Sequence, residues 1–320
     1  MPSTHPPIET VAVVGAGAMG AMYADHLHRA GLRTLLVARG DRAERLRREP
    51  VRVNGEPLDL EVVDPLADDP PPPTADLVIV AVKHAHLEEA AALLRPLVTE
   101  HTTVLSVLNG LDSEAVLLRA VPELVAEQVP LCIALAMDAE REGRDVRYTQ
   151  AGRLVFGPAE PWPHPAVLAA RLDAVRDVLD RAGLDWETPD DMRHRMWWKF
   201  MVNVGVNQAS AVLRAPYGAF ARPGPAYDLM MALIDEVRLV AAAEGVELTD
   251  ADVEHWHRVL AGQPAQGMTS MHQDVLAGRH TEVDIFAGRV VGLGAEHGIP
   301  TPHNATMLWI LGAMGEVETG

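Results

Sequence analysis

The chain has 320 residues, 48% of them hydrophobic, enough to bury the cores of two domains and too apolar to be disordered. Its formal charge of -18 repels phosphate backbones and excludes nucleic acid as a partner, and the local basic run RAERLRR (42–48) reads as a solvated helix face. The single cysteine, Cys132, excludes an intrachain disulfide framework. With an opening MPSTHPPIET that lacks a leader pattern and no apolar run of membrane-spanning length, the expectation is a cytoplasmic chain with no membrane partner.

The first half alternates short apolar runs with longer helical patterns. VAVVG (11–15), RTLLVA (33–38), DLVIVAV (76–82), TTVLSVL (102–108), PLCIALAM (130–137) and RLVFG (153–157) read as strands. Several are apolar throughout, as strands are when helices cover both sheet faces, so the expected class is an α/β Rossmann-type domain. VRVNGEPLDLEVV places an Asn-Gly pair between two strand-like pieces and predicts a hairpin between the second and third main strands. The four prolines of DPLADDPPPPTAD then form a rigid surface connection. MDAEREGRD (137–145) reads as a solvated loop or strand connection, and Cys132 as a core residue.

VAVVGAGAMG (11–20) raises the first functional question. Gly15 permits a tight turn, Gly17 lets the backbone approach a pyrophosphate, and Gly20 lets the following helix pack on the strand. A strand before the motif, a helix after it and a second strand within about 30 residues favour a dinucleotide site over a plain turn. Gly15, Ala16, Gly17, Ala18, Met19 and Gly20 are therefore candidate cofactor-binding residues. Arg39 stands at the end of the second strand, where an acidic residue would accept bonds from the ribose of NAD; a guanidinium suits a ribose phosphate and predicts NADP. Asp41 keeps NAD open, and Arg42 is a second candidate for the phosphate. Lys83 and Asn109 end two further strands at their carboxyl ends, where open α/β sheets place ligands; the plainer readings are a surface charge and a turn.

From about residue 189 the period changes to that of helices. Residues 192–213, 226–245, 249–262 and the long tract from Ser270 to Gly298 all read as helical, with Thr249 and Asp252 forming an imperfect capping box. The expected organisation is a dinucleotide-binding domain over 8–188 and an all-helical substrate-binding domain over 189–316. ETPDD is the expected hinge, and the cleft between the domains is the default small-molecule site. Lys199, Asn203 and Asn207 recur every four residues on an otherwise apolar helix. Burying them unpartnered would cost roughly 1–3 kcal/mol each, so a structural reading must find them a network and a ligand supplies one; the alternative is a solvent-facing stripe with Trp197, Trp198 and Phe200 inward. In TSMHQDVLAGRHTEVDIFAG, Ser270 and Gln273 stand near a helix start and Glu282 and Asp284 about three turns on; periodicity does not choose between the two carboxylates. Among 14 histidines, HWH (255–257) points its rings to different faces and KHAH (83–86) reads as a helix start, so no metal site is expected.

GAGAMG, VAVK (80–83), LNG (108–110), WWKFMVNVGVNQASAV and SMHQDVLAGRHTEVDIFAG, in this order and at these separations, resemble the ketopantoate reductases, or 2-dehydropantoate 2-reductases, over nearly the whole chain. The glycine motif is generic; the lysine helix combined with the QD…GR.TE.D segment is specific. The resemblance implies NADPH-dependent reduction of 2-dehydropantoate to (R)-pantoate, a pantothenate-pathway step toward coenzyme A. It makes Lys199 the catalytic proton donor and Glu282 the carboxylate that contacts the substrate's hydroxyl end and the cofactor. It makes Asn203, Asn207 and Ser270 substrate-binding residues, Asn109 and Lys83 residues of the cofactor–substrate junction, and Arg39 the phosphate-recognition arginine. Tyr217 departs from the pattern, since some relatives carry a substrate-contacting asparagine there. That keeps other branched 2-oxo acids, opine-like reductive amination and a non-catalytic NADP sensor as alternatives. The apolar face of LMMALIDEVRLVAA offers either a homodimer contact or internal core.

Overall fold

The structure, a computed structural model, describes residues 5–159 and 165–319, so the first four residues of the opening stretch lie outside it. The chain divides into two compact units, Met1–Arg193 and His194–Gly320.

The first unit begins with β1 (Thr10–Val14), α1 (Ala18–Arg29), β2 (Arg33–Val37) and α2 (Gly40–Arg48). Then come β3 (Arg52–Val53), β4 (Glu56–Pro57), β5 (Glu61–Val63), β6 (Leu77–Val80), α3 (Leu87–Leu94), β7 (Thr103–Ser106) and α4 (Ser113–Ala120). A five-stranded parallel sheet runs in the order β5-β2-β1-β6-β7. Its all-apolar strands are buried on both faces. Val11 and Val13 pack with Met22 and Tyr23 of α1, whereas Ala12 and Val14 pack with Leu87, Ala90 and Leu94 of α3. This two-sided burial is why the strands do not alternate in sequence. On α2, Ala43 and Leu46 are buried and the arginines of the basic run are exposed, as expected of a solvated face.

Asn54 and Gly55, both with positive φ, turn the predicted hairpin between β3 and β4. The end of that stretch departs from the expectation: β5 leaves the hairpin and extends the parallel sheet beside β2. MDAEREGRD is also corrected. It forms β9 (Glu140–Glu142) and β10 (Asp145–Arg147), an antiparallel pair about Gly143 whose β10 joins β3 in a four-stranded sheet. Its charges sit on strands because only Val146 of this pair is turned into the core. β8 (Leu131–Leu135) lies before that pair; β11 (Arg153–Gly157), α5 (Pro165–Arg181) and β12 (Asp185–Glu187) follow it. β8 and β11 pair antiparallel in a separate three-stranded sheet, with Cys132 buried opposite Phe156.

In the second unit, the predicted helix 192–213 is three pieces: α6 (Met192–Val202), a π-helical turn at Asn203–Asn207, and α7 (Gln208–Leu213). α8 (Pro225–Ala243) buries Met230, Leu233, Ile234, Val237 and Val240, so the greater part of its apolar face is internal core. α9 (Asp250–Ala261) opens with the capping box closed, Asp252 accepting from the Thr249 N–H at 2.7 Å and its hydroxyl at 2.8 Å. The tract from Ser270 to Gly298 is not one helix. α10 (Ser270–Leu276) closes at Gly278, φ 61°, where the Arg279 N–H bonds back to the Asp274 carbonyl; a 3₁₀ turn at Val283–Ile285 precedes α11 (Ala287–His297). α12 (Pro302–Thr319) is apolar on several sides and leaves Trp309 71% exposed. Among the described residues no helix is long and apolar enough to cross a membrane.

Candidate active site

In the first unit the candidate residues gather at one edge of the parallel sheet. The glycine loop leaves the carboxyl end of β1, Arg39 follows β2, Lys83 follows β6 and Asn109 follows β7, whose neighbouring strands end with Val80 opposite Ser106. Lys83 is exposed at the start of a 3₁₀ turn, His84–His86, and Asn109 is half-buried.

The loop's glycines have separate reasons. Gly15 has φ 104°, and a Cβ on it would stand 2.7 Å from the Ala81 carbonyl oxygen; a Cβ on Gly20 would overlap the Gly15 carbonyl. Gly17 has neither reason: its φ is −71° and a Cβ would meet nothing nearer than the Ala81 oxygen at 3.8 Å. Packing does not require glycine there, and the open space suits the close approach of a ligand. Gly17 is also the N-cap of α1 and carries no capping side chain, so the first-turn N–H groups around Ala18 and Met19 face the loop as anion donors. These residues fit a dinucleotide pyrophosphate.

Cations adjoin the loop. Arg39 is exposed as the N-cap of α2, and the turn after it is fixed by the Gly40 N–H bonding to Asp64 at 2.8 Å. Sequence reasoning missed Arg141 of β9, whose guanidinium bonds to the Ala16 carbonyl in the glycine loop and to the Gly143 carbonyl at 2.8 Å. Burial, then repulsion from Arg42 and Arg45, holds Arg141 below the usual arginine range. Only the pairing of β10 with β3 brings this arginine to the loop, and its acidic sequence neighbours gave no signal of it. Glu114 of α4 was likewise unmarked. It is fully buried, accepts from the Ser113 hydroxyl at 2.8 Å and the Cys132 N–H at 3.1 Å, and is pushed up to about 7 by burial.

In the second unit, Lys199 and Asn203 are half-buried and Asn207 is 7% exposed, while Trp197, Trp198 and Phe200 are buried. The polar row is thus drawn into the unit instead of lying on open surface. Ser270 is exposed at the first position of α10, behind the N-cap Thr269 that accepts from the His272 N–H. Glu282 is half-buried just before the 3₁₀ turn, and Asp284 within it is exposed. Tyr217 bonds through its N–H to the Gly267 carbonyl at 2.9 Å, and burial raises its phenol. His255 packs edge-on against Trp198 while His257 meets the Tyr227 hydroxyl at 3.2 Å, so the two rings diverge. No group of three His, Cys, Asp or Glu suited to a metal occurs among the described residues.

A parallel sheet with a glycine loop and arginines at its carboxyl edge, followed by a helical unit carrying a lysine–carboxamide row, defines a Rossmann-type oxidoreductase that uses a nicotinamide nucleotide. Residues 11–161 match the family model described as ketopantoate reductase PanE/ApbA, and residues 191–315 match that of its C-terminal part. A 2-dehydropantoate 2-reductase of Halobacterium salinarum is 31% identical over 91% of this chain and 94% of its own. The chain belongs to the ketopantoate reductase family. A PanE/ApbA family ketopantoate reductase from Ralstonia eutropha superposes with a TM-score of 0.78 at 28% identity, covering 97% of this chain and 100% of that one. A D-mandelate dehydrogenase bound to NADH and anilino(oxo)acetate shares the fold at a TM-score of 0.84 and 22% identity, covering 97% and 99%.

Proposed function

We propose that this enzyme reduces 2-dehydropantoate to (R)-pantoate with NADPH. The observation that carries the reading is the row of half-buried Lys199 and Asn203 and buried Asn207, an ammonium and two carboxamides on an apolar helix. NADPH supplies the hydride to the C2 ketone. The Lys199 ammonium donates a hydrogen bond to the C2 oxygen, stabilises the charge that develops there and delivers the proton. Asn203, Asn207 and Ser270 hold the carboxylate and hydroxyl of the acid, with Glu282 accepting from its hydroxyl end. Lys83 and Asn109 act where cofactor and acid meet. Arg39, Arg42 and Arg141 support NADPH over NADH, since guanidinium groups match a ribose phosphate in charge and geometry.

A second reading is reduction of another 2-oxo acid, favoured by Tyr217 and by the likeness in fold to an enzyme bound to NADH and anilino(oxo)acetate. The deciding experiment follows NADPH oxidation with 2-dehydropantoate, 2-oxoisovalerate and pyruvate, each repeated with NADH. Turnover confined to 2-dehydropantoate and NADPH is the expected result; faster turnover of another acid, or a preference for NADH, overturns that part of the proposal. We place this activity in the cytoplasm, with a second copy of the chain as partner; light scattering that returns a monomer rejects the latter.

A further inference from the structure

We infer that Gln208, oriented by Asn304 and Glu236, is a positioning residue: it pins the π turn Asn203–Asn207 and so keeps Asn207 in line with Lys199 and Asn203. The inference rests on the proposal that this row receives a 2-oxo acid.

The π turn matters because of helix arithmetic. In an unbroken α-helix the eight residues from Lys199 to Asn207 overshoot two turns by about 80°, which rotates the last carboxamide off the row. A π turn accommodates one extra residue and withdraws about 100° of rotation, returning Asn207 to the face of Lys199. Such a turn is weak by itself and must be held.

What holds it is a buried amide relay. The Gln208 Nε2 donates to the Val204 carbonyl inside the turn at 2.9 Å and to the Asn304 Oδ1 at 3.2 Å, while its Oε1 accepts from the Ala287 N–H at 3.1 Å. The sense of the Asn304 amide is fixed in turn, because its Nδ2 donates to the Glu236 Oε2 at 2.8 Å and to the Leu233 carbonyl at 3.4 Å. Glu236 also accepts the N–H groups of His303 at 2.8 Å and Asn304 at 2.9 Å, at the start of α12. Gln208 and Asn304 are wholly buried. Each donor faces an acceptor, and turning either amide over would set like against like. The turn also packs directly on α8, where a Cβ on Gly205 would stand 2.7 Å from the Ile234 Cγ1. Its geometry is therefore set from α8, α11 and α12 together.

The test compares wild type with Gln208→Met, which keeps the bulk and removes the amide. In Gln208→Met the KM for the acid that wild type reduces should rise about tenfold or more, with the KM for NADPH within about twofold. Amide hydrogen exchange over residues 203–208 of the free protein should accelerate about tenfold, with the first unit unchanged. Unaltered exchange across the turn, or an equal rise in both KM values, overturns the inference. If Gln208→Met does not fold, Asn304→Ser, which removes the acceptor facing Gln208 together with the donor to Glu236 and the Leu233 carbonyl, should show the same split at about threefold; no split there overturns it. A wild type that reduces no 2-oxo acid would refute the functional reading, and the exchange measurement would still decide whether Gln208 pins the turn.

Discussion

Glu114 carries a carboxyl that ionises against its surroundings. Its ordinary value near 4.5 is pushed up to about 7 by burial, only partly offset by the bonds from Ser113 and the Cys132 N–H. Between those values the folded chain keeps a proton that the unfolded chain has released. The contribution to stability is therefore fully present below about 4.5 and lost as pH rises through 7. Glu114→Gln should match wild type near pH 4.5 and exceed it by roughly 1–3 kcal/mol at pH 8 in urea titrations. A constant offset at both pH values would refute this. Lys199→Ala should lower kcat by about 100-fold or more, and a near-wild-type turnover number at saturating acid would remove Lys199 from proton transfer. Arg39→Ala should raise the KM for NADPH by about tenfold while sparing NADH, the scale of one lost charge-assisted bond, whereas Arg141→Ala, which also releases the Ala16 carbonyl of the glycine loop, should raise both. Equal effects of Arg39→Ala on both nucleotides would place Arg39 elsewhere than at the ribose phosphate.

At the scale of elements, the prediction concerns Gly20. Alanine there would drive a Cβ into the Gly15 carbonyl and lift α1 from β1, so Gly20→Ala should abolish NADPH binding by fluorescence titration. Gly17→Ala, whose Cβ would meet nothing nearer than the Ala81 oxygen at 3.8 Å, should weaken binding without lowering the melting temperature of the free chain. The main strands and the glycine loop were legible because an all-apolar run followed by Gly15, Gly17 and Gly20 has few other physical meanings. β9 and β10 were not: residues such as Glu140 and Glu142 carry no apolar alternation, and only pairing with β3 makes them strands. The lysine–carboxamide row was visible as a spacing of four, yet that spacing is the same for an α-helix and for one interrupted by a π turn. The break in 270–298 was signalled by Gly278, and the apolar residues on either side of it concealed the signal. α12 lacked a single apolar stripe, since Met307 and Leu311 are buried while Trp309 and Ile310 are not.

For the whole molecule, binding of NADPH should stabilise the fold by mass action. At a nucleotide concentration 100 times its Kd the gain is about 2.7 kcal/mol, so NADPH should raise the melting temperature more than NADH at equal concentration. A larger shift with NADH would reverse the cofactor assignment. Under the proposed function the acidic chain, at -18, holds an anionic nucleotide and an anionic acid against its own field, so raising the salt concentration should weaken binding less than it would in a basic protein of the same size.

Cys132, 1% exposed in the three-stranded sheet, is the chain's only sulfhydryl. A thiol reagent can reach it only when β8 separates from its neighbours, so the rate of alkylation is a clock for that opening. Against so slow a background, a cysteine installed at the exposed Leu213 would label first, and a spectroscopic probe could be attached at one chosen point without removing the native thiol.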